Sequence, residues 1–535
     1  VSFRTVTSSH DVPLQLEPAG SAVLPAWRQA APRRRVLYAL VLLLTPVTHA
    51  LAFPPARISW LAWVCFVPWF MAIRVATPTT ALVITSLTTM LGTYLVASWL
   101  PTAVANYYGQ SLVVGLAFFL GAWALTIAPW VWLFTLLYRA AARRCTRLLP
   151  VVAGAAWAGT ELLRERLLIG DPFGLLGYSQ VDVLPLAQIA DLTGVFGISF
   201  VLAAVNAALA EVCLAFGRRG MPLRHAVIGL ATCGALVAAV VAYGVERSRL
   251  PAAERAPTRV AIVQGNVDPG TQWSRESYGR NLQIYQTLTQ HLLSDRPALI
   301  VWPESAMNFF VDDEPLYRRV LGRLLTPAGV ALVAGGPRRS PGTPPRYYNS
   351  VFVVAPDGEV AAVYDKQRLL PFAEYFPAAS IELLRRDFAR VREFTAGGES
   401  APLPTVAGPA GVLVCNEVFF GEIAGERARS GASYLLNLAN DSWLGDAQYA
   451  EEAFDMARLR AIEQRRYVVR ASTSGPSAVI DPAGRVAGRT ATDAQATLTG
   501  VIGSRVDVTP YGRWGDVFGM LCVVASVAVL GRRRR

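Results

Sequence analysis

The feature that most constrains this chain is a series of apolar runs separated by arginines and turn residues. They are Val36–Phe53, Ile58–Ile73, Thr80–Leu100, Leu112–Tyr138, Leu149–Leu168, Val195–Phe216 and Ala226–Tyr243. A helix that crosses a bilayer needs about 20 apolar residues. Within lipid only helices and closed barrels satisfy their own backbone polar groups. The runs are therefore expected to form a membrane α-helical bundle. A further run, Val517–Leu530, is the shortest and must borrow from Tyr511–Asp516 to cross, which brings the expectation to about eight transmembrane helices.

The arginines set the orientation. Arg33–Arg35 precede the first run, Arg74 follows the second, Arg139, Arg143, Arg144 and Arg147 follow the fourth, and Arg218, Arg219 and Arg224 follow the sixth. Basic loops mark the cytoplasmic side. The alternate loops are poor in charge: Arg57 alone follows the first run, and Pro101–Gln110 carries none. The seventh run then ends outside, the last returns, and Arg532–Arg535 falls inside. The net charge of +12 is thus the writing of membrane topology, and it argues against nucleic-acid binding. Composition agrees: 53% of residues are hydrophobic and 16% charged, against about 25% charged in soluble domains. The expected domains are a cytoplasmic, disordered tail (1–35), a seven-helix membrane domain (36–245), an extracytoplasmic insert (246–512), and a final helix with a basic tail (513–535). One outer stretch, Glu161–Arg166 followed by Gly170–Gln180, carries charge at membrane depth. It reads equally as a solvated loop or as a re-entrant or interfacial element, since ionisable residues near a bilayer are functional candidates.

The insert has a different texture. Expected strands are Arg259–Gln264, Leu299–Trp302, Val330–Ala334, Asn349–Ala355, Glu359–Tyr364, Gly411–Cys415, Tyr434–Leu438, Tyr467–Ala471, Ala478–Ile480 and Leu498–Ile502. Helical patterns fill Arg275–Ser294, Pro315–Leu325, Glu422–Ser430 and Ala450–Gln464. Pro356-Asp357-Gly358 and Asp481-Pro482-Ala483-Gly484 read as hairpin turns. Strands alternating with helices, and interrupted by hairpins, predict an α/β sandwich.

Cys415 is the only cysteine of the insert, so a disulfide framework there is excluded. It ends the apolar run Val412–Val414. A lone cysteine is ordinarily a small buried hydrophobe; its companions point instead to a nucleophile. Acyl transfer through a thiol needs a base, oxyanion donors and a water-poor site. The chain has four histidines, and only His291 lies in the insert, with no motif around it. A carboxylate must serve as base. Glu304 stands at the mouth of the apolar strand ending in Trp302-Pro303, where partial desolvation raises a carboxyl's pKa. Lys366 is the single lysine of a chain that otherwise uses arginine. A fixed ammonium there can hold thiolate and oxyanion. The backbone N–H of Asn416 offers a second oxyanion donor, and Glu374 and Glu417 are further carboxylates that can position Lys366. Cys and His spacing fits no zinc motif, and neither metal nor cofactor is expected.

The insert resembles the nitrilase superfamily, whose catalytic Glu, Lys and Cys occur in this order. The whole chain is similar to the apolipoprotein N-acyltransferases, the membrane branch. The matching stretches are Val263–Asn266 with Trp273, Trp302–Ser305, Tyr364–Tyr375, Cys415–Glu417, Asn440–Gly445, Met456–Glu463, Arg470 and Ile480–Pro482, with Glu161–Arg164 and Gly177–Gln180 before the insert. The resemblance implies a nitrilase-like αββα sandwich on the membrane bundle, with Glu304 as general base, Lys366 as stabiliser of oxyanion and thiolate, Cys415 as nucleophile, and Glu374 and Glu417 as supporting carboxylates. It further implies an acyl chain passed from a phospholipid, typically phosphatidylethanolamine, through a Cys415 thioester to the α-amine of a diacylglyceryl-cysteine apolipoprotein. Trp273 and the Asn440–Trp443 loop would line or gate the lipid entrance. The setting would be the bacterial inner membrane, with a monomer whose catalytic domain faces the periplasm. The family carries a tyrosine after the cysteine; here it is Asn416, a change that bears on lipid contacts more than on chemistry. Two alternatives are a membrane-tethered nitrilase-type amidase and a non-catalytic scaffold. Seven preceding spans exceed what a tether needs, and retention of the lone lysine at this position argues against a scaffold.

Overall fold

The computed structural model describes residues 32–144, 147–249, 257–267, 275–377, 393–399 and 401–531. The apolar runs are helical. Val195–Phe216 forms a helix with the bounds expected, and the run Ala226–Tyr243 lies within a longer helix, Leu223–Arg247. Among the described residues, three helices are long and apolar enough to cross a membrane: Pro78–Val96, Val195–Phe216 and Leu223–Arg247. A fourth crossing is possible if Leu112–Thr126 and Ala128–Arg144 are taken as one span, bent by 42°. Tyr38–Leu51, Ser59–Val75 and Val517–Ala528 are shorter apolar helices. The expectation of about eight spans thus counts more crossings than length and composition alone support.

Three local expectations need correction. Leu112–Tyr138 is broken at Ile127. Pro101–Gln110 is not an open loop, because Trp99–Tyr108 forms a short helix ended by Gly109 in the left-handed region. Glu161–Arg166 is not a solvated loop but the end of the helix Leu149–Arg166, with Glu161, Arg164 and Glu165 buried.

The insert contains two sheets. One has the order β11-β1-β2-β3-β4-β5 and the other β10-β9-β8-β7-β6. The strands are β1 (Thr258–Gln264), β2 (Leu299–Val301), β3 (Ala331–Arg339), β4 (Tyr347–Val354), β5 (Val360–Asp365), β6 (Ala410–Val414), β7 (Tyr434–Ala439), β8 (Val468–Ser472), β9 (Ala478–Ile480), β10 (Val486–Arg489) and β11 (Ala496–Ile502). β10 was not foreseen; its exposed, glycine-containing sequence lacks an apolar signal. β1–β2–β3 and β6–β7–β8 run parallel, and the two expected hairpin turns join the antiparallel pairs β4–β5 and β9–β10.

Side chains alternate across a strand, and here each face finds its own layer. Val260, Ile262, Leu299, Val301, Val412 and Val414 pack between the sheets. Ala261, Val263, Ile300 and Trp302 pack outward with Leu282 and Leu321 of the helices Arg275–Leu292 and Pro315–Leu325. Leu413 and Leu435 face the other way, into one continuous apolar cluster with the helices Gly421–Arg429 and Ala447–Gln464 and with the apolar bundle itself. The result is an αββα sandwich whose second helix layer is also its seat on the bundle.

Candidate active site

The chain reverses sharply where β2 and β6 end, and both reversals put a chemical group at the same edge. After β6 the backbone turns into a short 3-10 helix, Cys415–Phe419. Cys415 itself takes a φ of +49°, a conformation that costs a non-glycine residue about 1–3 kcal/mol and that clusters at functional sites. After β2, Trp302-Pro303 leads to Glu304, and Ser305 has a φ of +57°. Gly335 in β3 is needed here: a Cβ on it would lie 2.6 Å from Glu304 Cα and 2.8 Å from the Pro303 carbonyl. Lys366 follows β5, with its N–H donating to the Asn349 carbonyl at 2.8 Å.

These three side chains meet in a buried pocket of the fold. Glu304 is 6% exposed, Lys366 1% and Cys415 4%. Glu304 Oε1 accepts from Asn349 Nδ2 at 2.7 Å, and Oε2 from the Asn440 backbone N–H at 2.8 Å. The Cys415 thiol lies close to the same carboxylate, and its S–H acts to lower the Glu304 pKa. Lys366 Nζ lies 2.7 Å from Glu374 Oε2, which also accepts the Leu370 N–H at 2.7 Å. Asn349 Nδ2 bridges the two carboxylates, reaching Glu374 Oε1 at 2.8 Å.

The electrostatics suit proton transfer. Burial raises Glu304 from an ordinary 4.5 to about 7; Lys366 pulls it down and Glu374 pushes it up. Burial, then the Glu304 charge, hold the Cys415 thiol well above its usual range, with Lys366 opposing. Burial acts to lower Lys366, but Glu374, Cys415 and Glu304 together raise it above the ordinary lysine range. The site thus combines an ammonium held charged by its carboxylate neighbours, a carboxyl whose proton affinity is raised by burial, and a thiol that burial keeps protonated.

Residues 47–208 match the family described as apolipoprotein N-acyltransferase N-terminal domain, and residues 259–511 match the carbon-nitrogen hydrolase family. The apolipoprotein N-acyltransferase of Geobacter metallireducens is 33% identical over 95% of this chain and 97% of its own length. The chain belongs to the apolipoprotein N-acyltransferase family. The family's protein from Bradyrhizobium diazoefficiens is 32% identical over 73% of this chain and 74% of its own. Among solved structures, the NitN amidase from Neterenkonia sp. AN1 matches at 19% identity and a TM-score of 0.36, over 48% of this chain and 95% of that one.

As a member of the N-acyltransferase family, the chain brings some expected residues to the thiol and sends others elsewhere. Glu374 pairs with Lys366 as anticipated. Glu417 makes no pair with Lys366 among the described contacts. Its carboxylate accepts Val414 N–H at 2.7 Å, Gln367 N–H at 2.8 Å, Arg368 N–H at 3.0 Å and the Tyr364 hydroxyl at 2.9 Å. It ties the turn after β5, which carries Lys366, to the turn that carries Cys415. Asn416 is 3% exposed and its Oδ1 has no hydrogen-bond partner among the described residues. Asn440 serves Glu304 through its backbone. Trp443 is partly buried, edge-on to Tyr107 at 5.5 Å. Trp273 lies outside the described residues.

Three participants went unforeseen. Asn349 holds Glu304 and Glu374 together; an asparagine inside an otherwise apolar strand, where asparagine is disfavoured, was the available signal. Thr473 Oγ1 donates to the Glu304 carbonyl at 3.3 Å. Tyr449 is buried and within electrostatic reach of Cys415, and it packs edge-on to Trp99 at 4.9 Å and tilted against Phe173 at 5.8 Å. Nothing in the local pattern of helix Ala447–Gln464 distinguishes Tyr449 from a packing residue, because its partners come from the membrane domain.

Proposed function

We propose that this N-acyltransferase takes an acyl chain from a phospholipid, phosphatidylethanolamine being the expected donor, holds it as a thioester on Cys415, and delivers it to the α-amine of an S-diacylglyceryl-cysteine apolipoprotein. In the first half, Glu304 removes the thiol proton as sulfur attacks the ester carbonyl. Lys366 Nζ and the Asn416 N–H take the oxyanion charge. Collapse expels the lysophospholipid alkoxide, which receives the proton from Glu304. In the second half, the acceptor amine attacks the thioester, Glu304 takes the amine proton, and the thiolate leaves onto Lys366 before reprotonation. Glu374 keeps Lys366 charged and in place through both.

The observation that carries this reading is where the thiol sits. Phe419, in the turn that begins at Cys415, packs on Phe173 at 5.1 Å, and Tyr449 joins the same cluster to Trp99. The nucleophile's own turn is thus part of the apolar seat on the membrane bundle, a placement suited to lipid substrates and wasted on a soluble amide. On the same reading the bundle crosses the bacterial inner membrane about eight times, the catalytic domain (246–512) faces the periplasm, the enzyme acts as a monomer, and Trp273 with the Asn440–Trp443 loop borders the lipid entrance.

The test is reconstitution of the purified protein with an acyl-labelled phospholipid and a diacylated lipopeptide. Label is expected on the peptide's N-terminal nitrogen, and Cys415→Ser is expected to abolish it. Release of free fatty acid without peptide labelling, or full transfer by Cys415→Ser, would overturn the proposal.

A further inference from the structure

Two adjoining cavities lie between helices of the membrane domain at the end remote from Cys415. Helices Pro78–Val96 and Ala128–Arg144 run antiparallel: Thr85 and Thr135 hydroxyls lie 2.8 Å apart, and Trp132 Nε1 donates to Ser86 Oγ at 2.9 Å. The Val96 end touches the catalytic domain, where the Val96 carbonyl accepts Gln448 Nε2. The Pro78 end therefore lies a helix length away, about 27 Å at 1.5 Å per residue.

At that far end is a cavity of about 130 Å³ lined by Pro78, Leu136, Arg139, Ala140, Arg143 and Arg144. Arg143 is exposed, and Arg144 Nε is a buried donor with no hydrogen-bond partner among the described residues. Arg139 is anchored, its guanidinium donating to the Ile73 carbonyl. The N-terminus of helix Pro78–Val96 opens on the same cavity, and its dipole adds to the attraction for an anion. One turn further along the same two helices begins a groove of about 320 Å³, lined by Thr79, Leu82, Val83, Ser86, Leu87 and Trp132 and almost wholly apolar at its surface. Two of its polar groups are already satisfied: the Trp132 indole donates to Ser86 Oγ, and the Ser86 hydroxyl donates to the Leu82 carbonyl.

A basic cavity opening into an apolar groove along one helix pair has the polarity of a phospholipid. The rise from Trp132 to Arg143 is about 16 Å, close to the roughly 15 Å of one hydrocarbon leaflet. We infer that this groove binds an anionic membrane phospholipid, with its phosphate on Arg139, Arg143 and Arg144 and one acyl chain along Leu82, Val83 and Trp132. The site is separate from the acyl-transfer centre and does not depend on the reading of Cys415. A topology signal alone would account for arginines in this loop, but it requires neither the cavity between them nor the groove that continues it.

The experiment is native mass spectrometry of the detergent-purified protein titrated with phosphatidylglycerol and, separately, phosphatidylethanolamine. Retention of phosphatidylglycerol over the zwitterionic lipid is expected. Arg143→Gln with Arg144→Gln is expected to weaken that retention about tenfold or more. Val83→Trp, which fills the groove and leaves every arginine in place, is expected to weaken it comparably, and inorganic phosphate is expected not to compete. Acyl-transfer activity of each variant reports that it is folded. Equal retention of both lipids, or unchanged phosphatidylglycerol binding in the arginine pair or in Val83→Trp, would overturn the inference and leave the arginines as topology signals only. Displacement by inorganic phosphate would overturn the groove's part in it.

Discussion

At the scale of single residues, Asn349 shows how two carboxylates are kept in one pocket. Its amide nitrogen donates to Glu304 and Glu374 at once, so both can stay near Lys366 in fixed orientations. Asn349→Asp keeps the shape but replaces the donor with a third acidic group. It is expected to slow Cys415 acylation at least about tenfold and to move the pH profile upward, because added negative charge raises Glu304 further; single-turnover rates against pH check this. On the proposed mechanism Glu304 must be ionised to act, and burial raises it to about 7. The acylation rate is therefore expected to rise with pH through about 7 and to lose that limb in Glu304→Gln, with a fall of at least about 100-fold. Lys366→Arg is expected to be inactive despite its retained charge, since a planar guanidinium cannot take an ammonium's place; wild-type turnover would contradict the role given to the lone lysine. As candidates, Cys415, Glu304 and Lys366 were legible in the sequence because each is a chemically odd residue just past a strand, and Glu374 because it lies in the same stretch as Lys366. Asn349 and the backbone of Asn440 were not, because their roles exist only once β4 and β7 lie against the ends of β2 and β6.

At the scale of elements, strand ends assemble the site. β2, β5, β6 and β7 each deliver a group from their carboxyl ends: Glu304, Lys366, Cys415 and the Asn440 N–H. The close approach at Gly335 keeps β3 against the Glu304 turn. Gly335→Ala places a methyl group within 2.6 Å of the Glu304 Cα. It is expected to cost about 1–3 kcal/mol, read as a lower Tm, together with a loss of acylation rate out of proportion to the unfolded fraction. Strand and helix positions followed from period and from hairpin turns, and their observed ends differ by a few residues. The break at Ile127 and the helix Trp99–Tyr108 were not legible, since a bend leaves an apolar run unbroken and a short polar-flanked helix looks like a loop.

At the scale of the whole molecule, the catalytic domain is locked to the bundle by buried charge as well as by apolar packing. Arg57, the lone cation after the first run, bonds Glu451 at 2.8 Å and Asp455 at 2.9 Å on helix Ala447–Gln464, and Asp182 at 3.1 Å. Arg465 and Arg247 share Asp191, at 2.8 and 2.6 Å. Burial pushes Asp455 up to about 6, with Arg57 opposing it. Arg57→Ala is expected to lower Tm more at pH well above 6 than below it. Losing Arg57 raises the Asp455 carboxyl further; where it is ionised it is a buried carboxylate left with only Arg458 at 3.6 Å, and at lower pH it carries its own proton. Hydrogen exchange along helix Ala447–Gln464 is expected to quicken in the same variant. From sequence Arg57 was visible only as an exception to a charge-poor loop, because Glu451 and Asp455 lie 394 and 398 positions further along the chain and Asp182 lies 125. On the proposed function, this seat delivers lipid to a thiol that stores the acyl chain, and the intact mass of the purified enzyme after exposure to phospholipid without acceptor tests it. One added acyl group is expected, mapped to Cys415, labile to hydroxylamine and discharged by a diacylated lipopeptide. An unmodified enzyme that still transfers acyl chains, or an acyl group on any other residue, would contradict it.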